Sequence, residues 1–336
     1  MRDLAQRLLP RRTEGLVLVA MLAVLLACAT SSRATAQLGG GIAEADSMLA
    51  AGRVGAAESL YYSASSARPR DAVARAALGR YLAARGALRI GAVLLEEARL
   101  FGGDTTRIAR SLAPIYGSLG DYRALASLPA TPLSPAEQKR VRWLVSHPPV
   151  LEFPDSVVTL GYKPLVDGSG VGVVSLGIGE HRVDALIDPR GSGVLLRGRA
   201  ARSRDGLRVF GEDSSGVAAV VSELHLGDVT LSNVTARLAT DTSRRAKRER
   251  QSVVIGLDVL RRLTPTFDPV AQTITLRRGQ ISAMTVGTRC PMLIDEQGLR
   301  FIVEGHWETG ASAAAAKLLG TQRWTSDAKH GVLLLQ

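Results

Sequence analysis

The sequence predicts a multi-domain α + β protein, in which an α-helical repeat array is followed by an all-β barrel. Three observations lead there. Gly52, Gly86 and Gly120 recur at a step of 34 residues through a stretch rich in Ala, Leu and Arg. Pro129, Pro132, Pro135, Pro148 and Pro149 then interrupt the helical pattern. After Pro154 the apolar residues alternate with polar ones in short runs punctuated by Gly and Asp, the pattern of half-buried strands joined by turns. With 336 residues and 46% hydrophobic content the chain has material for two packed cores. Aromatic residues make up only 4%, so those cores must be built from Leu, Val, Ile and Ala.

The N-terminus is read as a targeting segment, residues 1–36. Arg2, Arg7, Arg11 and Arg12 precede an unbroken apolar run from Leu16 to Ala27. A run of that length is short for a bilayer span but suits the core of a signal peptide. Leu25-Leu26-Ala27-Cys28 resembles the lipobox of bacterial lipoproteins, which implies lipidation of Cys28. Ala34-Thr35-Ala36 offers an ordinary small-x-small cleavage site instead. An uncleaved anchor is the third reading, and all three export the body of the protein to the cell envelope or beyond. Any contact with a membrane is expected only through the signal or a lipid anchor.

Charge and cysteines exclude more than they assign. The formal net charge is +11, but Arg2, Arg7, Arg11, Arg12 and Arg33 against Asp3 and Glu14 place part of it in the leader. The densest remaining run, Arg244-Arg245-Ala246-Lys247-Arg248-Glu249-Arg250, has no interleaved aromatics to stack on bases. It reads as a solvated loop between strands, and no nucleic-acid partner is expected. Beyond Cys28 only Cys290 remains, so there is no disulfide framework and no metal-ligand cluster. Neither metal nor cofactor is expected.

Residues 38–130 form the helical array. The contexts of the three glycines match: Ala50-Ala51-Gly52-Arg53, Ala84-Arg85-Gly86-Ala87 and Ser118-Leu119-Gly120-Asp121. Small residues recur at equivalent places, Ala57 with Gly91 and Ala64 with Ala98, and Leu78-Gly79 supplies a further one. Thirty-four residues is the period of the tetratricopeptide repeat, which this stretch resembles. The resemblance implies paired helices stacked into a short superhelix, used either as a peptide groove or simply to orient the next domain. Residues 131–150 are read as a Pro-rich linker. Within it Ser134-Pro135-Ala136-Glu137 supplies a cap, a first-position proline and an acid at the third, predicting one short helix to about Val145.

Residues 151–281 are read as the β domain. Val171 to Gly179 alternates, turns at Glu180-His181 and returns as Arg182 to Asp188. Val217–Leu226, Val229–Leu238, Ser252–Ile255 and Gln272–Leu276 follow as strands. Here four motifs resemble retropepsin-like aspartic proteases: Ala185-Leu186-Ile187-Asp188, Leu224-His225-Leu226-Gly227-Asp228-Val229 with Ser232-Asn233-Val234, Val254-Ile255-Gly256-Leu257-Asp258-Val259-Leu260, and Phe267-Asp268-Pro269 before Ile274-Thr275-Leu276.

The resemblance implies an acid-protease barrel in which Asp188 is the catalytic aspartate. Gly256 and Asp258 then form the turn packed beneath the site, and the Phe210–Gly216 loop, bounded by Gly211 and Gly216, becomes the flap. It also implies a second, facing carboxylate, one of the pair acting as base on water and the other as acid. One such domain supplies one aspartate, so the family reading is a homodimer. The family's Asp-Thr-Gly-Ala-Ser is here Asp188-Pro189-Arg190-Gly191-Ser192. Ser192 keeps its place as loop support, Pro189 lacks both hydroxyl and amide hydrogen, and Arg190 brings a cation beside Asp188, which favours its ionised form.

Residues 282–336 hold a second such string. Phe301 to Trp307 leads into Glu308-Thr309-Gly310-Ala311-Ser312, and Ser326-Asp327 before Val332 to Leu335 mirrors Phe267-Asp268 before Ile274 to Leu276. The tail is therefore expected either to be a truncated second lobe that sets Glu308 against Asp188 in an intrachain pseudo-dimer, or to be a plain αβ extension. Two functions follow. One is an exported aspartic peptidase acting on peptide or protein substrates. The other is an inactive pseudoprotease that binds peptides as a scaffold.

Overall fold

The computed structural model describes residues 41–129, 133–153, 157–165, 171–189, 193–203, 205–214, 216–239, 252–279, 281, 285–295, 298–310 and 312–336. Residues 1–36 with Cys28, the 244–250 basic run and Arg190, Gly191 and Ser192 lie outside them.

The helical half is built of pairs. Helices α1 (41–50) and α2 (Val54–Ala67), α3 (Ala72–Ala84) and α4 (Leu88–Leu100), and α5 (Thr105–Leu119) and α6 (Tyr122–Ala126) are each joined by a tight turn. The second members start 34 residues apart, and the turn glycines have φ of +76° at Gly52, +96° at Gly86 and +72° at Gly120. That left-handed conformation is one an L side chain adopts only at a cost, which is why glycine recurs there. Asp71, Asp104 and Asp121 cap the starts of α3, α5 and α6 by accepting backbone N–H bonds. Between α3 and α4 the helices nearly touch: a methyl group on Gly91 would lie 2.7 Å from the Gly79 carbonyl oxygen. Ala57, Ala64 and Ala98 are buried, as their spacing predicts.

Helix α7 (Pro135–Ser146) begins with the expected capping box, Ser134 Oγ accepting from the Glu137 N–H at 3.2 Å and Glu137 accepting from the Ser134 N–H at 3.1 Å. It is not a free tether. Its buried Val141 and Leu144 share one apolar cluster with Leu112 and Tyr122 of the array and Val220 of the β half. The sequence signals its start, but the partners that hold it are remote in the chain.

The β half comprises β1 (Val150–Glu152), β2 (Val157–Pro164), β3 (Gly172–Ile178), β4 (His181–Asp188), β5 (Val194–Leu196), β6 (Leu207–Asp213), β7 (Gly216–Leu226), β8 (Val229–Leu238), β9 (Val253–Gly256), β10 (Thr266–Asp268), β11 (Thr273–Arg277), β12 (Thr288–Asp295), β13 (Gly298–Val303), β14 (His306–Thr309), β15 (Trp324–Asp327) and β16 (Val332–Leu335). Short α8 (Gly198–Ser203) follows β5, and α9 (Ala313–Thr321) follows β14. Together they make a mixed α + β protein, a β-barrel with further strands attached to one side.

The strand order is a palindrome in its central part. It runs β14-β13-β12-β16-β15-β10-β11-β2-β3-β4 before continuing through β9, β5, β8, β7 and β6. Outward from the middle, β10, β11, β2, β3 and β4 answer β15, β16, β12, β13 and β14. At the centre β10 and β15 pair antiparallel with Thr266 opposite Thr325, their hydroxyls 2.9 Å apart. These two residues are 59 apart, and the same offset relates details on either side. Asp268 accepts from the Ala271 N–H at 2.8 Å, and Asp327 accepts from the His330 N–H at 3.3 Å. Gln272 has φ +55° and Gly331 has φ +61°. One apolar core runs through both halves, with Phe267 and Trp324 fully buried and stacked 4.1 Å apart across the centre.

Candidate functional site

Asp188 is the last residue of β4, and three elements fix it. Strand β3 pairs with β4 along its length, from Ile178 opposite His181 to Gly172 opposite Ile187. Strand β9 runs parallel on the other side, placing Asp188 opposite Gly256. The loop that follows is tied at its far end, where both carboxylate oxygens of Asp258 accept from the Gly193 N–H, at 2.9 and 3.0 Å. Gly256 and Asp258 thus join the two ends of the Asp188 loop. Burial pushes the Asp258 carboxyl up from its ordinary value, opposed by the Gly193 N–H bond and the Arg261 charge. The sequence pattern names Asp258 but not this bond, which joins residues 65 apart in the chain. Asp188 itself is half-buried and Pro189 is buried.

The C-terminal string meets this loop. The Leu299 N–H donates to the Pro189 carbonyl at 2.8 Å, and the Gly310 N–H donates to the Leu299 carbonyl at 2.8 Å. A methyl group on Gly310 would stand 2.8 and 2.9 Å from the Pro189 ring, so only glycine lets the two loops approach this closely. Glu308 lies in β14 opposite the fully buried Phe301 of β13, which places its side chain on the inner side of that hairpin. It is half-buried and accepts a 2.5 Å bond from Ser312 Oγ, while the same Oγ caps α9 by accepting from the Ala315 N–H at 3.0 Å. The structure therefore brings the ends of β4 and β14 together through Pro189 and Gly310.

The Phe210–Gly216 segment, expected as the flap, lies in the β6–β7 hairpin. Phe210, Gly211, Glu212 and Asp213 belong to β6, whose hairpin with β7 is paired to β8 as far as Val217 opposite Leu238. Gly211 and Gly216 have φ of +134° and +116°, and the β6–β7 ladder carries a bulge between Val209 and Gly211. Helix α7 lies against it. Ser134 Oγ donates to Asp213 at 2.6 Å, and Arg237 bonds Asp213 at 3.2 Å and also Glu137. Phe210 packs on Trp143 with ring centroids 5.7 Å apart. Helix α7, from another part of the chain, thus packs on the hairpin that carries this segment.

Two hollows lie elsewhere. One, of about 470 Å³, is lined by Tyr62, Leu78, Leu82, Ile90 and Leu94 between helices. The other, of about 230 Å³, is lined by Gly177, His181 and His225 at the β3–β4 turn. Among the described residues no group of three or more His, Cys, Asp or Glu could hold a metal ion. No helix among them is long and apolar enough to cross a membrane.

No protein-family model matches the chain, and no curated protein matches it. Among solved structures it is similar to the crystal structure of a retropepsin-like aspartic protease from Rickettsia conorii, with a TM-score of 0.26 and 11% identity over 39% of this chain and 93% of that one.

Proposed function

We propose that the β half is an aspartic-peptidase-type domain that takes an extended peptide at Asp188 and hydrolyses it. The observation that carries this is the mounting of Asp188. A carboxylate stands at a strand end, between two ladders, on a loop clamped at both ends by the β9 turn. Catalysis needs such a fixed group, since a misplacement near 1 Å can cost about 100-fold in rate. In the chemistry this implies, water attacks the scissile carbonyl carbon and gives its proton to the carboxylate. The carbon–nitrogen bond then breaks, and the departing nitrogen takes a proton from a partner carboxyl.

The helices, with their 34-residue step, serve in this reading as a tetratricopeptide-like array, and residues 1–36 as an export signal, with Cys28 the lipidation point if the lipobox is used. The test is cleavage of a diverse peptide library by the purified chain from acid to neutral pH, with Asp188→Asn run alongside. Cleavage abolished by the substitution supports the peptidase; no cleavage by the folded wild type removes it. One observation favours a second reading, a peptide-binding module that does not cut. Pro189 has no N–H to offer the site, and its carbonyl is already bonded to Leu299. Retained peptide binding without cleavage would select that reading.

A further inference from the structure

We infer that the outer face of helices α2 and α4 docks on the headgroup region of an anionic lipid bilayer, a second membrane contact beyond the anchor at Cys28. The inference rests on the export reading given above and adds how the chain lies once it is held there. It begins with an excess of apolar surface on α4. That helix buries Gly91, Ala92, Leu94, Leu95 and Ala98 against the array. On its other side Ile90, Val93 and Leu100 are 57%, 58% and 75% exposed. With 3.6 residues per turn, these three and Phe101 fall within one stripe about 100° wide. The exposed positions of α5, by contrast, include Thr105, Thr106, Arg107 and Arg110, so apolar exposure is not general in the array. The stripe borders the hollow between the helices, where Tyr62 and Ile90 stand exposed above buried Leu78, Leu82 and Leu94.

The charges around this face suit a phosphate-bearing surface. Glu97, the acid within the stripe, is paired with Arg75 at 3.1 Å. Arg89 is exposed next to Ile90, and Arg70 is exposed beyond the end of α2. An apolar stripe flanked by arginine is the composition of helices that lie in a bilayer interface. Tyr62 adds an apolar ring with a polar tip, a side chain favoured at that depth. The tether then selects a membrane over other partners. Residues 29–40 separate Cys28 from the start of α1, a stretch that spans about 40 Å when extended. The Tyr61 hydroxyl bonds Asp46, so α1 begins beside the second half of α2, where Tyr62 stands. Helix α2, with 14 residues, is only about 21 Å long. A chain anchored at Cys28 therefore keeps this whole face within reach of the bilayer, and a contact made within a tethered molecule needs little affinity of its own.

The test holds the full chain on vesicles without relying on lipidation in cells. With Cys290→Ala in place, Cys28 is coupled to a maleimide lipid in vesicles of phosphatidylcholine and phosphatidylglycerol. Val93→Trp supplies a reporter at an exposed position, and lipids brominated on their acyl chains serve as quenchers. The same chain without Val93→Trp gives the background from its own tryptophans. The expected result is a reporter emission that shifts to the blue and is quenched by the brominated lipid. Ile90→Ser and Leu100→Ser should each lower the ratio of docked to undocked chains about tenfold. No quenching of the coupled chain, with its helices intact by circular dichroism, overturns the inference. So does quenching that survives both serine substitutions, or that is equal in vesicles of phosphatidylcholine alone. A dimer in sedimentation without vesicles, dissolved by the same two substitutions, would assign the face to a second copy of the chain instead. Acylation of Cys28 in cells is read separately, by mass, so a failure of the anchor is not confused with a failure of the face.

Discussion

Replacing the three repeat glycines one at a time by alanine should produce unequal losses, in the order Gly86, Gly52, Gly120. All three have positive φ, so each alanine incurs the left-handed penalty of about 1–2 kcal/mol. What differs is the neighbour. At Gly120 the new methyl group meets the end of the Arg262 guanidinium at 2.6 Å, a flexible group that can swing aside. At Gly52 it meets the Gly305 carbonyl oxygen at 2.8 Å. At Gly86 it overlaps the Ala328 carbonyl oxygen and stands 2.7 Å from that of Lys329. Backbone on both sides cannot yield without opening the joint between the array and the β15–β16 turn.

That joint also holds Arg85, whose guanidinium donates to the carbonyls of Met292 at 3.1 Å and Gly331 at 2.6 Å. Losing even one charged hydrogen bond costs about 1.5–3 kcal/mol. Gly120→Ala should therefore cost about 1 kcal/mol after the gain from a stiffer unfolded chain, and Gly86→Ala about 4 kcal/mol on the sum of these effects. Urea unfolding of the three variants measures this through their midpoints. Equal losses would refute the reasoning, because they would mean that the turns obey only their own backbone and do not press on the β half.

Three further outcomes are expected. Arg85→Met keeps the apolar stem but removes both bonds, and should lower stability by about 2 kcal/mol in the same urea assay. Ser134→Ala removes the α7 cap and the bond to Asp213 together; it should cost about 1–2 kcal/mol, with amide exchange rising both in the first turn of α7 and in the β6–β7 hairpin. Asp258 has a folded-state pKa raised above its ordinary value of 3.8, so its contribution is fully present below the unfolded value and is lost as pH rises through the folded one. The stability difference between wild type and Asp258→Asn should accordingly shrink as pH rises from about 4; a difference that is flat or grows would show that burial does not dominate at this carboxyl.

What the sequence makes legible here follows a physical rule. Gly52, Gly86 and Gly120 are visible because positive φ leaves a residue-type signature. The α7 start is visible because Ser134, Pro135 and Glu137 act within one turn. The β3–β4 hairpin is visible because both strands alternate around a glycine turn. The mirrored turns at Asp268 and Asp327 are visible because an aspartate three residues before a backbone N–H is a local device. By contrast, β5 and β10 are three residues long and carry no period to read. The Phe210–Gly216 segment looks like a loop because its two glycines do, and its cover by α7 depends on a helix about 70 residues away in sequence. The bond from Gly193 to Asp258 is likewise long-range, 65 residues apart.

The two mirrored β halves are not equal, and the difference assigns a task to the helices. In the first half β3 is joined by β7, with Gly177 opposite His225 and Ile178 opposite Leu224, so the β6–β8 sheet flanks the β3–β4 hairpin. The matching hairpin, β13–β14, has no such strand among the described residues. Its Ile302 and Trp307 pack instead on the apolar cluster of the first two helix pairs, around Val54, Tyr61, Leu78 and Tyr81. Trp307 Nε1 donates to the Leu49 carbonyl at 2.5 Å. The array thus covers a face that the shorter half cannot cover for itself. Removing residues 1–132 should uncover both partly buried side chains, at about 1 kcal/mol each, below the range for a side chain buried completely. The remaining fragment is expected to bind a hydrophobic dye and to associate at micromolar concentration. A fragment that stays monomeric, binds no dye and unfolds at the urea midpoint of the full chain would show that the second half stands without its helical cover.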